Sequence, residues 1–412
     1  MAEIRGFKAH LYSENLHNEM QDLISPPYDV IHEEGRQGLI QKNKFNSVQI
    51  CLKAPNQTYQ DMKNIFEKWK SEKVLEQHPR DALYLIEERF LLNDKEITRI
   101  GFIGLLKTSD FSEKKILPHE NTLSGPKKDR FELLENLRAE ASQVFFCYDD
   151  PDQLIEGIYN DLKQTSPRVS IEDPSGVSRR LWVLDQPQIL KKIKEHFSNK
   201  KLLIADGHHR YETALSFSKT HPEIESQYVQ AYFTNRLSPN FEILAIHRIC
   251  SLPENWTDET FLKALAKRFQ VEALEKTESS LTEFVESHKN PERIGFLLVS
   301  KNLQKSFFVS RKKETENDAE IFSLQKEIFE PLFQWTSADI AKEKLSFEHD
   351  EKMFLERIKK TRNGIGFLLP PTDLDLVMKI VETGERMPQK STFFYPKIAS
   401  GLVIYELGSF EP

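Results

Sequence analysis

Apolar residues recur in two rhythms along this chain. Between Asn56 and Lys73 they fall at Tyr59, Met62, Ile65, Phe66 and Trp69, a three-and-four spacing that predicts a helix with one buried stripe. Ala82–Phe90 and Thr98–Leu106 are runs rich in leucine, isoleucine and aromatics, and predict two strands joined at an Asp94–Lys95 turn into a hairpin. Further strands are expected at Val144–Tyr148, Arg179–Leu184, Tyr228–Phe233 and Phe241–Ile246, and helices over 152–164 and 187–198. Ser25–Ile31 should be extended, because Pro26 and Pro27 oppose helix. A loop over 116–130 should feed a helix from Lys128 to Glu140, with Phe131, Leu134 and Leu137 on one face.

Past residue 250 the texture changes. Amphipathic helices (Glu259–Arg268, Ser279–Ser287) alternate with strands (Ile294–Val299, Ser306–Val309), many rich in lysine and glutamate. The pattern predicts a mixed α/β chain of the α+β class, with an N-terminal domain over 1–250 and a C-terminal domain over 251–412. The final loop, 384–397, is expected to return to the site of the first domain.

Leu202–Ala205 is an apolar strand that ends in Asp206, Gly207, His208, His209 and Arg210 before a helix begins. A helix N-terminus carries partial positive charge and presents backbone N–H groups, which suits a phosphate. Arg210 adds a planar fork for the same group. Asp206 could hold a metal ion or take a proton, although an Asp at a helix start is also an ordinary cap. Adjacent histidines point apart on regular structure, so joint metal ligation by His208 and His209 is not expected.

Two other segments are dense in chemistry. His119 and Glu120 precede Gly125, Pro126, Lys127, Lys128 and Arg130, where lysines at a helix start could neutralise phosphate oxygens. Near the C-terminus, Lys390, Ser391 and Lys397 sit in a loop with Thr392 and Tyr395. Either segment alone would read as a polar loop. The aromatic face that includes Trp69 is core. The chain contains no P-loop pattern, no GxGxxG after a strand and no GxSxG elbow.

The chain has 412 residues and a formal charge of −7, which disfavours bulk nucleic-acid binding. No apolar run of about 18 residues occurs, and Met1–Arg5 lacks a hydrophobic signal core. Cys51, Cys147 and Cys250 are odd in number and far apart, which fits buried thiols in a reducing cytoplasm, and with no CxxC pair a cysteine zinc site is not expected.

Four stretches, Pro26–Ile31, Pro118–Lys127, Ile204–Ala214 and Met387–Lys397, together resemble the signature segments of the bacterial and archaeal family known as domain of unknown function 1015. The likeness is collinear over nearly the whole chain. Gln143 follows Ser142 where the resemblance implies a proline, a position just before a strand. More distantly, Asp206–Arg210 followed by Ala214 is similar to the second box of the ParB and sulfiredoxin-like superfamily, which includes archaeal free-serine kinases. Pro26–Asp29 could be its first box. That resemblance implies a nucleotide-binding core with large insertions.

From the resemblance, the expected activity is phosphoryl transfer from ATP or ADP, with Mg2+, to a small alcohol such as free L-serine. Gly207, His208, His209 and Arg210 would cradle phosphates, assisted by Lys127, Lys128, Arg130, Lys390, Ser391 and Lys397. Asp206 would hold magnesium or orient the nucleophile. Asp29 is the candidate base, with His119 and Glu120 as further catalytic candidates. The alternatives are a non-catalytic nucleotide-binding regulator of ParB type and a metal-dependent hydrolase using Asp206, His208, His209 and His119. The expected partners are a nucleotide and a small substrate, with no membrane; a homodimer stays open.

Overall fold

The computed structural model describes all residues except 1, 93–94, 123, 240, 242, 275–279, 337–339, 341–343 and 412. The fold is α+β. The chain forms two compact units: Met1–Pro118, Thr122–Phe241 and Pro396–Pro412 make the first, and His119–Asn121 with Glu242–Tyr395 the second.

The first unit is built on a nine-stranded mixed sheet of β1 (Ile4–Arg5), β2 (Leu83–Leu92), β3 (Lys95–Lys107), β4 (Ile116–Pro118), β5 (Val144–Tyr148), β6 (Val169–Glu172), β7 (Ser178–Leu184), β8 (Leu202–Asp206) and β9 (Tyr228–Asn235). They run in the order β4-β8-β5-β9-β3-β2-β7-β6, with β1 against β3. Strand β8 is apolar because it is interior: it pairs parallel with β4 and antiparallel with β5. One face of the sheet packs Leu83, Phe102, Phe146, Trp182, Ile204 and Phe233 into the core with neighbouring helices. The aromatic stripe on α1 (Tyr59–Ser71) is buried at Met62, Phe66 and Trp69, and Thr58 with Asp61 closes a capping box at its start.

The opposite face of the sheet carries charge. In register, Arg179 of β7 lies beside Glu88 of β2, which lies beside Arg99 of β3, forming a cross-strand row. All three side chains are buried.

The second unit has a six-stranded sheet of β10 (His247–Ser251), β11 (Gln270–Ala273), β12 (Arg293–Ser300), β13 (Lys305–Lys312), β14 (Ser346–Glu348) and β15 (Gly364–Leu368), ordered β11-β13-β12-β15-β10-β14. A separate ribbon pairs Ile243–Leu244 with Phe393–Phe394. Among the described residues no helix is long and apolar enough to cross a membrane. All three cysteines are free and buried.

Several local expectations need correction. Tyr28–Val30 form a turn of 3-10 helix, because only the residues at and before each proline are held extended. The helix expected from Lys128 is α2, Ser124–Leu137: proline in the first turn needs no N–H partner, so the helix starts upstream of Pro126. It stops at Arg138, whose φ is 52°, and Ala139–Glu140 then pair with Tyr405–Glu406. Of the strand expected over 241–246, Ile243–Leu244 forms, and Glu242 lies outside the described residues. Asp94 of the expected turn and Ser279 of the expected helix lie outside the described residues, while Leu281–Ser287 is helical behind the capping Ser280.

Candidate functional site

The apolar strand β8 delivers Asp206 to the sheet's end, and α3 (His208–Thr220) begins two residues later. Gly207 makes the corner with φ 89°, and a Cβ there would lie 2.9 Å from the Arg210 guanidinium. Glycine therefore satisfies both the left-handed backbone and the close approach of Arg210. Asp206 accepts from two cations. Lys397 Nζ donates to Oδ1 at 2.9 Å and Arg210 Nη2 to Oδ2 at 3.1 Å. Arg210 Nη1 also donates to the Gln143 carbonyl.

The start of α2 is tied to the second turn of α3. Lys127 Nζ donates to Glu212 Oε2 at 2.9 Å, and the Thr122 hydroxyl donates to the same oxygen at 2.6 Å. One turn along α2, Arg130 donates to the Cys51 carbonyl at 2.6 Å and to Asp129 Oδ2 at 2.9 Å, and its guanidinium lies 4.0 Å from the centre of the Tyr28 ring. Burial pushes the Tyr28 hydroxyl up, against the nearby Arg130 and Arg210, while the charges of Asp29 and Asp206 raise it further. Through Tyr28 the loop at 26–29 packs on the start of α2. Asp29 and Lys128 are exposed.

Beside Arg210 lies a cleft of about 50 Å³ lined by Cys51, Arg130, Glu140, Ser142 and Thr213. Burial raises the Glu140 carboxyl to about 7, opposed by the Gln230 N–H at 2.7 Å and the Arg210 charge.

In the second unit, residues 119–121 run beside the C-terminal loop: Glu120 bridges Met387 in parallel, and the Met387 N–H donates to the His119 carbonyl at 2.7 Å. His119 is buried, with Nε2 at 2.7 Å from the Thr392 hydroxyl. Glu120 Oε1 accepts from the Ser391 N–H at 2.9 Å. Arg248 is fully buried and donates to the carbonyls of Ile246 and Lys390, the latter at 2.7 Å. This holds Lys390 at φ 57° with its side chain exposed. Burial lowers Arg248 to about 9, opposed by the charge of Glu120.

The sequence-nominated residues thus fall into two groups. Asp29, Lys127, Lys128, Arg130, Asp206, Gly207, His208, His209, Arg210 and Lys397 belong to the first unit, and His119, Glu120, Lys390 and Ser391 to the second. Tyr28, Glu212, Glu140 and Arg248 were not nominated. Tyr28 and Glu212 nevertheless lie within the stretches Pro26–Ile31 and Ile204–Ala214, and the signal at Arg248 is a charged residue inside an otherwise apolar run.

A protein-held Mg2+ does not fit this arrangement. Such ions favour oxygen ligands, whereas both Asp206 oxygens already accept from cations. Among the described residues, the group able to hold a metal is Asp150, Asp152 and His196, where Asp150 Oδ1 already accepts from His196 and Lys200.

The family model described as "Protein of unknown function (DUF1015)" matches residues 4–328, and the chain belongs to that family. No curated protein matches. Among solved structures, a mutant free serine kinase in complex with ADP is 14% identical, covering 70% of this chain and 89% of its own, at a TM-score of 0.37. A conserved hypothetical protein from Pyrococcus furiosus is 16% identical, with 70% and 92% covered and a TM-score of 0.36. SbnI from Staphylococcus aureus with a C-terminal truncation is 9% identical, with 72% and 85% covered and a TM-score of 0.37. At these values none of the three says what this chain binds.

Proposed function

We propose that this member of the DUF1015 family binds a nucleotide at the end of β8 and transfers a phosphoryl group from it to the hydroxyl of a small molecule. The observation that carries the reading is Asp206 held between Arg210 and Lys397 at a glycine corner that opens a helix. Two cations and a helix N-terminus converge on one point, and the aspartate holds them there until a phosphate competes for them.

Phosphoryl transfer asks little covalent chemistry of a protein and much charge positioning. Arg210 and Lys397 would take the phosphate oxygens, with Lys127 and Arg130 on the flanking helix. The acceptor oxygen forms a bond to phosphorus as the bond to the nucleotide's leaving oxygen breaks. The hydroxyl proton passes to a carboxylate, for which the exposed Asp29, one residue beyond Tyr28, is the candidate. Any magnesium would arrive on the nucleotide, and no step is assigned to it.

Free L-serine is the first acceptor to assay, because the Asp206–Arg210 segment resembles that of archaeal free-serine kinases. The test is product formation from serine and a nucleotide panel with the full chain. Phosphoserine formed from ATP or ADP is the expected result. Absence of transfer to serine or other small alcohols from every nucleotide tried would overturn the reading.

A further inference from the structure

Lys397 lies 191 residues from the aspartate it meets, and something must fix its main chain. The buried charged row on the sheet does this. Arg99 donates to Glu88 Oε2 from Nε at 2.9 Å and from Nη2 at 2.5 Å. The same Nη2 donates to the Pro396 carbonyl at 2.7 Å. Arg179 Nε donates to Glu88 Oε1 at 3.1 Å, Nη1 to Asp173, and Nη2 to the Lys397 carbonyl at 3.2 Å. The Tyr232 hydroxyl adds a third donor to Glu88 at 3.3 Å.

We propose that Glu88, Arg99 and Arg179 are positioning residues for the Asp206 site, acting through the Pro396 and Lys397 carbonyls to set where the Lys397 ammonium lies. Structural need alone does not explain the arrangement. Replacing a buried carboxylate and its arginines by well-packed apolar residues of the same size is often neutral or stabilising. Each arginine here keeps one donor for a successive carbonyl of the segment carrying Lys397. Rigid support of this kind is what a charge-positioning site requires, since small displacements weaken electrostatic contacts steeply. The significance for ligand binding rests on the function proposed above; the positioning itself does not.

The test uses the full chain and two readouts. The first is the acylation rate of Lys397 with an amine-reactive reagent, followed by peptide mass spectrometry. Lys200, which pairs with Asp150 at 3.1 Å in the same unit, is the internal reference. Arg179→Lys keeps a cation beside Glu88 and Asp173 but cannot keep all three donor contacts. Lys397 should then react about three- to tenfold faster, with Lys200 unchanged. Arg99→Lys, which loses its fork to Glu88 and Pro396, gives the same reading if the first variant does not fold. A folded variant with an unchanged Lys397 rate, or with both lysines accelerated alike, would overturn the proposal.

The second readout is ADP affinity in a cycle with Lys397→Ala. R179K should weaken ADP about three- to tenfold alone and add nothing in the K397A background. Additive losses would overturn the proposal. If the unmodified protein binds no ADP, the nucleotide reading fails, and the acylation rates still decide the positioning.

Discussion

Two buried arginine systems, one in each unit, hold chemistry-bearing loops by different means. In the first unit Arg99 and Arg179 share the carboxylate of Glu88 and reach the carbonyls of Pro396 and Lys397. In the second, Arg248 is equally buried but donates to two carbonyls, with Glu120 only a more distant charge. The lysine beyond the first system is paired with Asp206, and the lysine beyond the second is exposed. The two systems are organised around different ends. The first balances its charges internally and builds a fixed ion pair. The second spends a guanidinium on shaping a loop.

Substitution at the arginines separates the two most strongly. Arg99→Met leaves Glu88 buried beside a single arginine, and should cost about 3–5 kcal/mol in denaturant unfolding. Arg248→Met leaves only two carbonyls short of a donor, and should cost about 1–3 kcal/mol. Equal losses would erase the distinction.

The next effect is on pH dependence. Glu140 is raised in the folded state from the ordinary carboxylate range to about 7. A raised acid contributes stability that is fully present below its unfolded value and is lost as pH rises through the folded value. Glu140→Gln keeps an acceptor for the Gln230 N–H and removes that loss. Unfolding measured at about pH 5 and about pH 8 should show the variant gaining about 1–2 kcal/mol on the parent at the higher pH. A flat difference would mean the carboxyl is solvated. No matching effect is expected from Arg248→Met over that range.

The smallest effect concerns the half-exposed Lys127–Glu212 pair. A double-mutant cycle to alanine should give a stability coupling below about 1 kcal/mol. A larger value would make the pair a structural clamp between α2 and α3.

The strand–helix junction was legible in the sequence because its signals are local: four apolar residues, then Asp206, Gly207 and a helix. The core face of α1 was legible for the same reason. The start of α2 lies four residues before the expected Lys128 because Pro126 fits a helix's first turn, so the segment expected to open the helix is already inside it. The pairing of Lys397 with Asp206 could not be read, since it depends on a register that puts Arg179, Glu88 and Arg99 in one row across three strands. Those residues stood in plain view as charges within apolar runs, but only strand pairing gives them a common face. Nor could spacing reveal that His119 and Glu120 align with Met387 and Ser391 while Lys127, a few residues on, belongs with Glu212.

The proposed nucleotide site makes Arg210 and Lys397, held by Asp206, a phosphate-binding point. Calorimetric titration of the full chain with ADP and ATP tests it most directly, alongside Arg210→Ala and Lys397→Ala. Saturable binding by the unmodified protein, weakened about tenfold or more in each variant, is the predicted result. Binding that is absent in the unmodified protein, or unchanged in both folded variants, would contradict it.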